Sequence, residues 1–198
     1  LPNSLTSIDN DAFEGCSSLT DITIPNSVTS IGYNVFIGCE NLKNVTIGTG
    51  IKTIDESVFY KCSSLTSITI PNSVTYIGRN VFGDCTNLSS VTIGTGVTAI
   101  GKQAFNGCSS LTSITIPSSV TSIGYTAFAE CSSLKTITVK ATTPPTLGFY
   151  AFRGCPITTI YVPAESVDAY KTADGITSDG GIKADGWKDY ADKIKAIP

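Results

Sequence analysis

LTSITIPNSVTYIGRNVFGDCTN (residues 65–87) is followed without a break by LSSVTIGTGVTAIGKQAFNGCSS (88–110) and LTSITIPSSVTSIGYTAFAECSS (111–133). The same 23-residue unit is spelled three times, and working outward from it the columns persist along most of the 198-residue chain. One column reads Leu19, Leu42, Leu65, Leu88, Leu111, Leu134 and Ile157, and another Ile22, Val45, Ile68, Val91, Ile114, Ile137 and Ile160. Two residues further on stand Ile24, Ile47, Ile70, Ile93, Ile116, Val139 and Val162. Each unit closes on a phenylalanine (Phe13, Phe36, Phe59, Phe82, Phe105, Phe128, Phe152) that precedes a cysteine by three. A self-similar period of this length defines a solenoid or a related array.

The spacing within the unit dictates its local form. In [IV]-x-[IV] the aliphatics alternate with period two, which predicts a short strand with both on one face. A single unit cannot bury its recurring apolar positions, whereas stacked units cover one another's and build a continuous core. Such strands are parallel and ~4.8 Å apart, so seven of them span roughly 30 Å. The Pro or Gly after each strand ends it and turns the chain. The Gly-x-x-[AV]-Phe stretch is expected to return on the outer side as a turn or short helix. The turn residue alternates as Pro25, Gly48, Pro71, Gly94 and Pro117, a second period of 46 residues that points to growth by duplication of paired units. The unit at 134–156 departs from the pattern at ATTPPTLG.

Composition narrows the chemistry. With 41% hydrophobic residues the chain is no disordered polymer, and no apolar run reaches the ~18 residues of a membrane-spanning helix. A net charge of −3 argues against nucleic acid, whose binders gather Lys and Arg on one face. There is no histidine, so the commonest general base and the commonest metal ligand are both missing. The seven cysteines fall at Cys16, Cys39, Cys62, Cys85, Cys108, Cys131 and Cys155, with no CxxC pair. They are expected to act as small apolar fillers of one recurring niche, with parallel side chains poorly placed for bridging.

Several stretches resemble chemical motifs without the required context. GTGVTA (94–99) satisfies G-x-G-x-x-[GA], and GVTAIGKQ (96–103) misses a phosphate loop only at Gln103. Both lie in register with PNSVTYIGRN one unit earlier, and no long helix follows to offer its N-terminus to a phosphate. Asp174, Asp179 and Asp185 lack the calcium-loop pattern. Glu56 stands one unit before Arg79 in one column and Lys61 one unit before Asp84 in another, which reads as opposite charges on neighbouring rungs rather than a catalytic carboxylate pair. No catalytic residue, metal ligand or cofactor-binding residue is assigned, and no cofactor is expected.

The unit L-x-x-I-x-I resembles the leucine-rich repeat. The full form, I-P-x-S-V-T-x-I-G-x-x-A-F-x-x-C-S-S-L, resembles the BspA-like class of bacterial surface proteins over residues 1 to about 162. It departs from leucine-rich repeats in general where Ser27, Gly50, Ser73, Gly96 and Ser119 replace the usual Asn or Cys after the strand, so an asparagine ladder is not expected there. The resemblance implies a mainly β leucine-rich-repeat solenoid with parallel strands on its concave face. It also implies a bacterial cell-surface or secreted location and partners that are proteins or glycans on host or microbial surfaces.

Residues 163–198 carry 12 of the 29 charged residues and the single tryptophan. Pro163, Glu165 and Asp168 suit a helix start, and WKDYADKIKAI reads as a second, amphipathic helix. This segment resembles the small helical C-terminal caps of the same family. ADG occurs at 173 and again at 184, so the stretch near 173–185 reads as an inserted loop. At the other end the chain begins inside a repeat, which is expected of a piece of a longer protein. Its first, truncated rung offers an edge for association between two chains.

The candidate ligand-binding residues are the polar ones between the strand aliphatics, which point onto the concave face: Thr46, Thr69, Thr92, Thr115, Thr138 and Tyr161. The outer columns differ more from rung to rung, as in Tyr33, Glu56, Arg79, Lys102 and Tyr125. Two functions follow. One is an adhesin-like, non-catalytic interaction module. The other is a structural spacer that projects another domain, a reading favoured by the near-identity of the rungs.

Overall fold

The computed structural model describes residues 1–175 and 186–198. Residues 1 to about 162 wind into a stack of rungs, each contributing strands to two parallel ladders. The longer strands are Asp21–Ile24, Asn44–Ile47, Ser67–Thr69, Ser90–Thr92, Ser113–Ile116, Thr136–Val139 and Thr159–Val162. A second ladder consists of two-residue strands: Ser7–Ile8, Ser30–Ile31, Thr53–Ile54, Tyr76–Ile77, Ala99–Ile100, Ser122–Ile123 and Thr146–Leu147. Pairing is parallel and joins like to like: Thr23 lies beside Thr46, Ile114 beside Ile137, and Ile77 beside Ile100. The fold is thus the mainly β solenoid that the repeat implies, with one difference in detail. The dipeptides of pattern [TSAY]-[IL] form strands of their own, because each lies level with its copies and can exchange backbone hydrogen bonds with them.

The outer return of each rung is a turn and not a helix. Two residues per rung adopt the left-handed conformation, one on each side of the phenylalanine. The first column is Asp11, Asn34, Ser57, Asn80, Gln103, Thr126 and Tyr150, at φ between 48° and 58°. The second is Gly15, Gly38, Lys61, Asp84, Gly107, Glu130 and Gly154. Left-handed backbone costs an L-residue roughly 1–2 kcal/mol, and short polar side chains or glycine tolerate it best. Between these two residues the Phe N–H donates forward, to the Val58 carbonyl from Phe36 (2.8 Å) and to the Ala127 carbonyl from Phe105 (2.7 Å).

The rings of Phe13, Phe36, Phe59, Phe82, Phe105, Phe128 and Phe152 form one column, with successive centroids 5.1–5.5 Å apart. Interplanar angles never exceed 17°. Beside it the cysteines do more than fill space. Each thiol from Cys39 to Cys155 donates to the carbonyl of the phenylalanine one rung earlier: Cys62 to Phe36 (3.2 Å), Cys85 to Phe59 (3.1 Å), Cys108 to Phe82 (3.1 Å). A residue small enough for the niche, apolar, and still able to donate weakly is what the position needs. All seven are free thiols.

The 46-residue period also acquires a physical cause. A Cβ on Gly48 would lie 2.5 Å from the Pro25 carbonyl, and one on Gly94 2.4 Å from that of Pro71. The residues that follow Pro25 and Pro71 on the next rung therefore have no room for a side chain, whereas Pro117 is followed by Lys140 where the repeat breaks. In the same step the Asn26 side-chain oxygen accepts from the Thr49 N–H (2.9 Å), and that of Asn72 from the Thr95 N–H (2.9 Å). Pro-Asn and Gly-Thr rungs are complementary halves of one joint. Nearby, where leucine-rich repeats usually carry Asn or Cys, the Ser27 and Ser119 hydroxyls donate to the Leu5 (2.7 Å) and Val97 (2.6 Å) carbonyls.

The C-terminal segment corrects one expectation. A 3₁₀ turn at Ala164–Ser166 leads into the α-helix Val167–Thr172, in line with the helix start read at Pro163. WKDYADKIKAI is not an amphipathic α-helix. Trp187–Lys193 is 3₁₀, broken at Tyr190 (φ −111°, ψ 17°), and Ile194–Ala196 is a strand parallel to Thr159–Val162. The edge of the long-strand ladder needs backbone partners, and Ile194 enters the register of Ile160 and extends the isoleucine column by one. Trp187 and Tyr170 are buried against the last rung: the Trp187 indole N–H donates to the Pro145 carbonyl (2.7 Å) and the Tyr170 hydroxyl to that of Ala141 (2.8 Å). ATTPPTLG, the stretch that broke the repeat, supplies both acceptors. Most of the expected loop near 173–185, with Asp179 and Asp185, lies outside the described residues.

Candidate functional site

The concave face is built by the long strands. Because strand residues alternate sides, the aliphatics go inward and the threonines outward. Thr46, Thr69, Thr92 and Thr115 are exposed, while Thr138 and Tyr161 are half-buried. Register puts Thr46 beside Thr23, Thr69 beside Thr92, Thr115 beside Thr138, and Thr138 beside Tyr161. The structure therefore brings the six candidate residues onto one face, in a single file of hydroxyls and methyls that runs to the Tyr161 ring and, beyond it, to exposed Lys195 of the cap strand.

Shallow furrows run along this file. One of ≈ 450 Å³ is bounded by Thr46, Thr49, Ser67, Thr69 and Pro71, and another of ≈ 300 Å³ by Thr92, Thr95, Thr115, Pro117 and Lys140. Lys140 is the one charged residue lining either. At the far end of the face, hydrogen bonds from Thr20 and then Asn44 hold the Asp21 carboxyl below the usual carboxylate range. Such a surface can accept and donate hydrogen bonds but has no group poised for proton transfer or nucleophilic attack. Among the described residues no three Cys, Asp or Glu side chains converge as metal ligands. Nor is any helix there long and apolar enough to cross a membrane.

The expected charge pairs are settled one by one. Arg79 meets Glu56 at 3.4 Å, with both side chains about half exposed (50% and 51%), so solvent screens the pair. Lys61 and Asp84 do not pair. The Lys61 ammonium lies over the Tyr60 ring (5.3 Å), and Asp84 accepts from the Tyr60 hydroxyl, which raises that phenol's pKa.

The outer face holds a feature that the repeat pattern concealed. Tyr125, Phe149 and Tyr150 form a triangle of rings with centroids 6.3–6.4 Å apart, and Tyr125 and Tyr150 are exposed. The Lys102 ammonium lies 5.1 Å from the Tyr125 ring centre and the Arg153 guanidinium 5.8 Å from that of Tyr150. Tyr125 and Lys102 belonged to a variable column already noted. Phe149 and Tyr150 fall where the repeat breaks, so column reading could not align them.

A family profile described as the BspA type leucine rich repeat region matches in six copies, over residues 1–112 and 98–173. The chain belongs to that family of leucine-rich repeat proteins. Among solved structures it resembles a T. pallidum leucine-rich repeat protein, with 32% identity and a TM-score of 0.73, covering 79% of this chain and 75% of that one. It also resembles a leucine-rich repeat protein from Eubacterium ventriosum (29% identity, TM-score 0.63, 80% of this chain and 37% of that one). A leucine-rich cell surface protein from Faecalibacterium prausnitzii is similar over 82% of this chain and 60% of its own (28% identity, TM-score 0.57). No match was found among curated proteins. The chain spans less than two thirds of the length of the last two structures.

Proposed function

We propose that this solenoid is a non-catalytic, adhesin-like protein-binding module of a bacterial surface or secreted protein, with residues 1–162 forming the binding array and 163–198 its cap. The observation that carries the reading is the in-register file Thr46, Thr69, Thr92, Thr115, Thr138 and Tyr161 on one sheet face, exposed as far as Thr115 and half-buried beyond it. Hydroxyl and methyl groups fixed on strands suit an extended protein surface, because little side-chain entropy is lost on contact. Membership of the BspA-type family and the likeness to a bacterial cell surface protein support the placement outside the cell.

The test is binding of the chain to host matrix proteins, glycans and bacterial surfaces, with a Thr69→Lys/Thr92→Lys/Thr115→Lys variant alongside. Binding by the parent and its loss in the variant is the expected result. Unchanged binding by the variant would remove the site from this face. The uniformity of the rungs favours a second reading, a spacer that only projects another domain, and folded protein that binds nothing in the panel would select it. Self-association is a further part of the proposal. Phe13, Cys16, Leu19 and Ile22 of the first rung are only half-buried, whereas their copies one rung on, apart from the equally half-buried Val45, are fully covered. Light scattering across a concentration series should show dimers that Leu19→Lys abolishes; a monomer at every concentration would refute the contact.

A further inference from the structure

The second ladder carries a groove of ≈ 360 Å³ whose lining shares no residue with the threonine file. Tyr76, Ser122 and Thr146 form one wall, and Lys102, Tyr125 and Phe149 the other. Its floor is Gly101, Gly124 and Gly148, where rungs approach so closely that a Cβ on Gly124 would sit 2.7 Å from the Gly101 carbonyl carbon. The backbone there is already consumed: the Gly101, Gly124 and Gly148 N–H groups donate to the Ile77, Ile100 and Ile123 carbonyls. An added strand would find no free edge, so peptide capture by main-chain pairing is closed.

Recognition in this groove therefore falls to side chains of three kinds: aromatic faces, hydroxyls and one cation. Tyr76 and Tyr125 are 40% and 43% exposed, an unusual outlay of aromatic area on a surface otherwise rich in Thr and Ser. Among the described residues no carboxylate lies within ion-pair distance of Lys102, and no Asp or Glu lines the groove. In a chain of net charge −3 this is a locally positive, ring-walled slot. From this combination we infer that the groove binds an acidic saccharide of the hexuronic or sialic acid kind. The apolar face of the sugar ring lies on Tyr125 with the tilted Phe149 ring at its edge, its carboxylate meets Lys102, and its hydroxyls reach Ser122 and Thr146. The inference stands on different residues from the concave-face reading and survives if that reading fails.

The test uses two matched probe pairs: galacturonic acid trisaccharide against its methyl ester, and sialyllactose against lactose. Hexaglutamate serves as an acidic peptide. Amide shifts of Gly101, Gly124 and Gly148 report the site in ¹H–¹⁵N spectra, and titration gives Kd. The expected result is a groove-confined response to at least one acidic sugar, at least tenfold tighter than to its neutral counterpart. Lys102→Gln should bring the acidic probe down to the neutral one, Tyr125→Ala should weaken both, and Lys52→Gln, an exposed lysine that lines neither the groove nor the threonine file, should change neither. Equal binding of acidic and neutral sugars overturns the inference. So does the absence of groove shifts at millimolar concentrations of both acidic probes, or an equal groove response to hexaglutamate.

Discussion

Phe82→Ala should be among the most damaging single truncations in the chain, and its cost should depend on the neighbours of the ring. Phe82 is fully buried between Phe59 (5.5 Å, 4°) and Phe105 (5.2 Å, 14°). Truncating a buried phenylalanine costs about 3–5 kcal/mol in transfer and cavity terms. Each stacked pair adds ~0.5–1.5 kcal/mol beyond area, and Phe82 has two, so about 4–8 kcal/mol is expected. Phe13 is half-buried and stacks on Phe36 alone, so Phe13→Ala should cost about 1–2 kcal/mol. Because adjacent rungs share a stack, Phe59→Ala combined with Phe82→Ala should cost less than the sum by about 0.5–1.5 kcal/mol. Phe36→Ala with Phe105→Ala, which share no stack, should add within ~0.5 kcal/mol. Urea unfolding followed by far-UV circular dichroism gives the midpoints and slopes, and Phe82→Leu keeps a folded comparator if the alanine variant melts. The nearest-neighbour argument fails if Phe13→Ala is as costly as Phe82→Ala, or if the adjacent pair is simply additive.

Three other outcomes follow from particular residues. Thr126 is β-branched at φ 48° with a buried hydroxyl that has no partner, so Thr126→Gly should stabilise the chain by about 1 kcal/mol, net of the backbone entropy glycine adds; a lower melting midpoint in differential scanning calorimetry would refute the strain assignment. Trp187→Phe removes the indole donor to Pro145, and hydrogen exchange should show faster opening of Ile194–Ala196 with the central rungs unchanged, the loss being ~1–3 kcal/mol of local protection; uniform acceleration along the chain would contradict a local cap. Burial pushes the Cys62 and Cys108 thiols upward and the Cys85 thiol up to about 12, so folded protein keeps protons that the unfolded chain releases above ~8.5. Stability is then fully present below that pH and falls above it, each thiol steepening the slope by up to ~1.4 kcal/mol per pH unit, and a flat urea midpoint between pH 8 and 10.5 would refute this.

The stack was legible because the same side chains recur at a fixed spacing, and a core built from copies needs no long-range inference: Ile114 meets Ile137 because both occupy the same column. What the columns did not show was polar bookkeeping between rungs. Nothing in the spelling of Cys62 says that its thiol answers the Phe36 carbonyl, since cysteine satisfies an apolar niche equally well. The strand at Ile194–Ala196 was hidden by charge periodicity in KDYADKIK, which fits a helix face, while the open edge of the Thr159–Val162 strand is a tertiary fact. The threonine file could be read in full, because alternation along a strand fixes which side each residue faces. The aromatic triangle could not, because Phe149 and Tyr150 lie where the register slips.

That slip carries an argument about how such an array becomes specific. Where rungs are near copies, every position answers first to the rung above and below: Gly48 must leave room for the Pro25 carbonyl, and Asn26 must offer its side-chain oxygen to Thr49. A column constrained in this way cannot diverge to suit a ligand without breaking the joint. ATTPPTLGFY is relieved of that constraint because its outer neighbour is the cap. The same ten residues supply the Ala141 and Pro145 carbonyls to Tyr170 and Trp187, and carry Thr146 and Phe149 into the outer groove. Terminal rungs are thus the place where a repeat protein can acquire distinctive side chains at least structural cost. A graft of residues 140–150 onto an interior rung should lose stability through the broken Pro–Gly alternation, and a ring-lined groove would form there only if the next rung's glycines were kept.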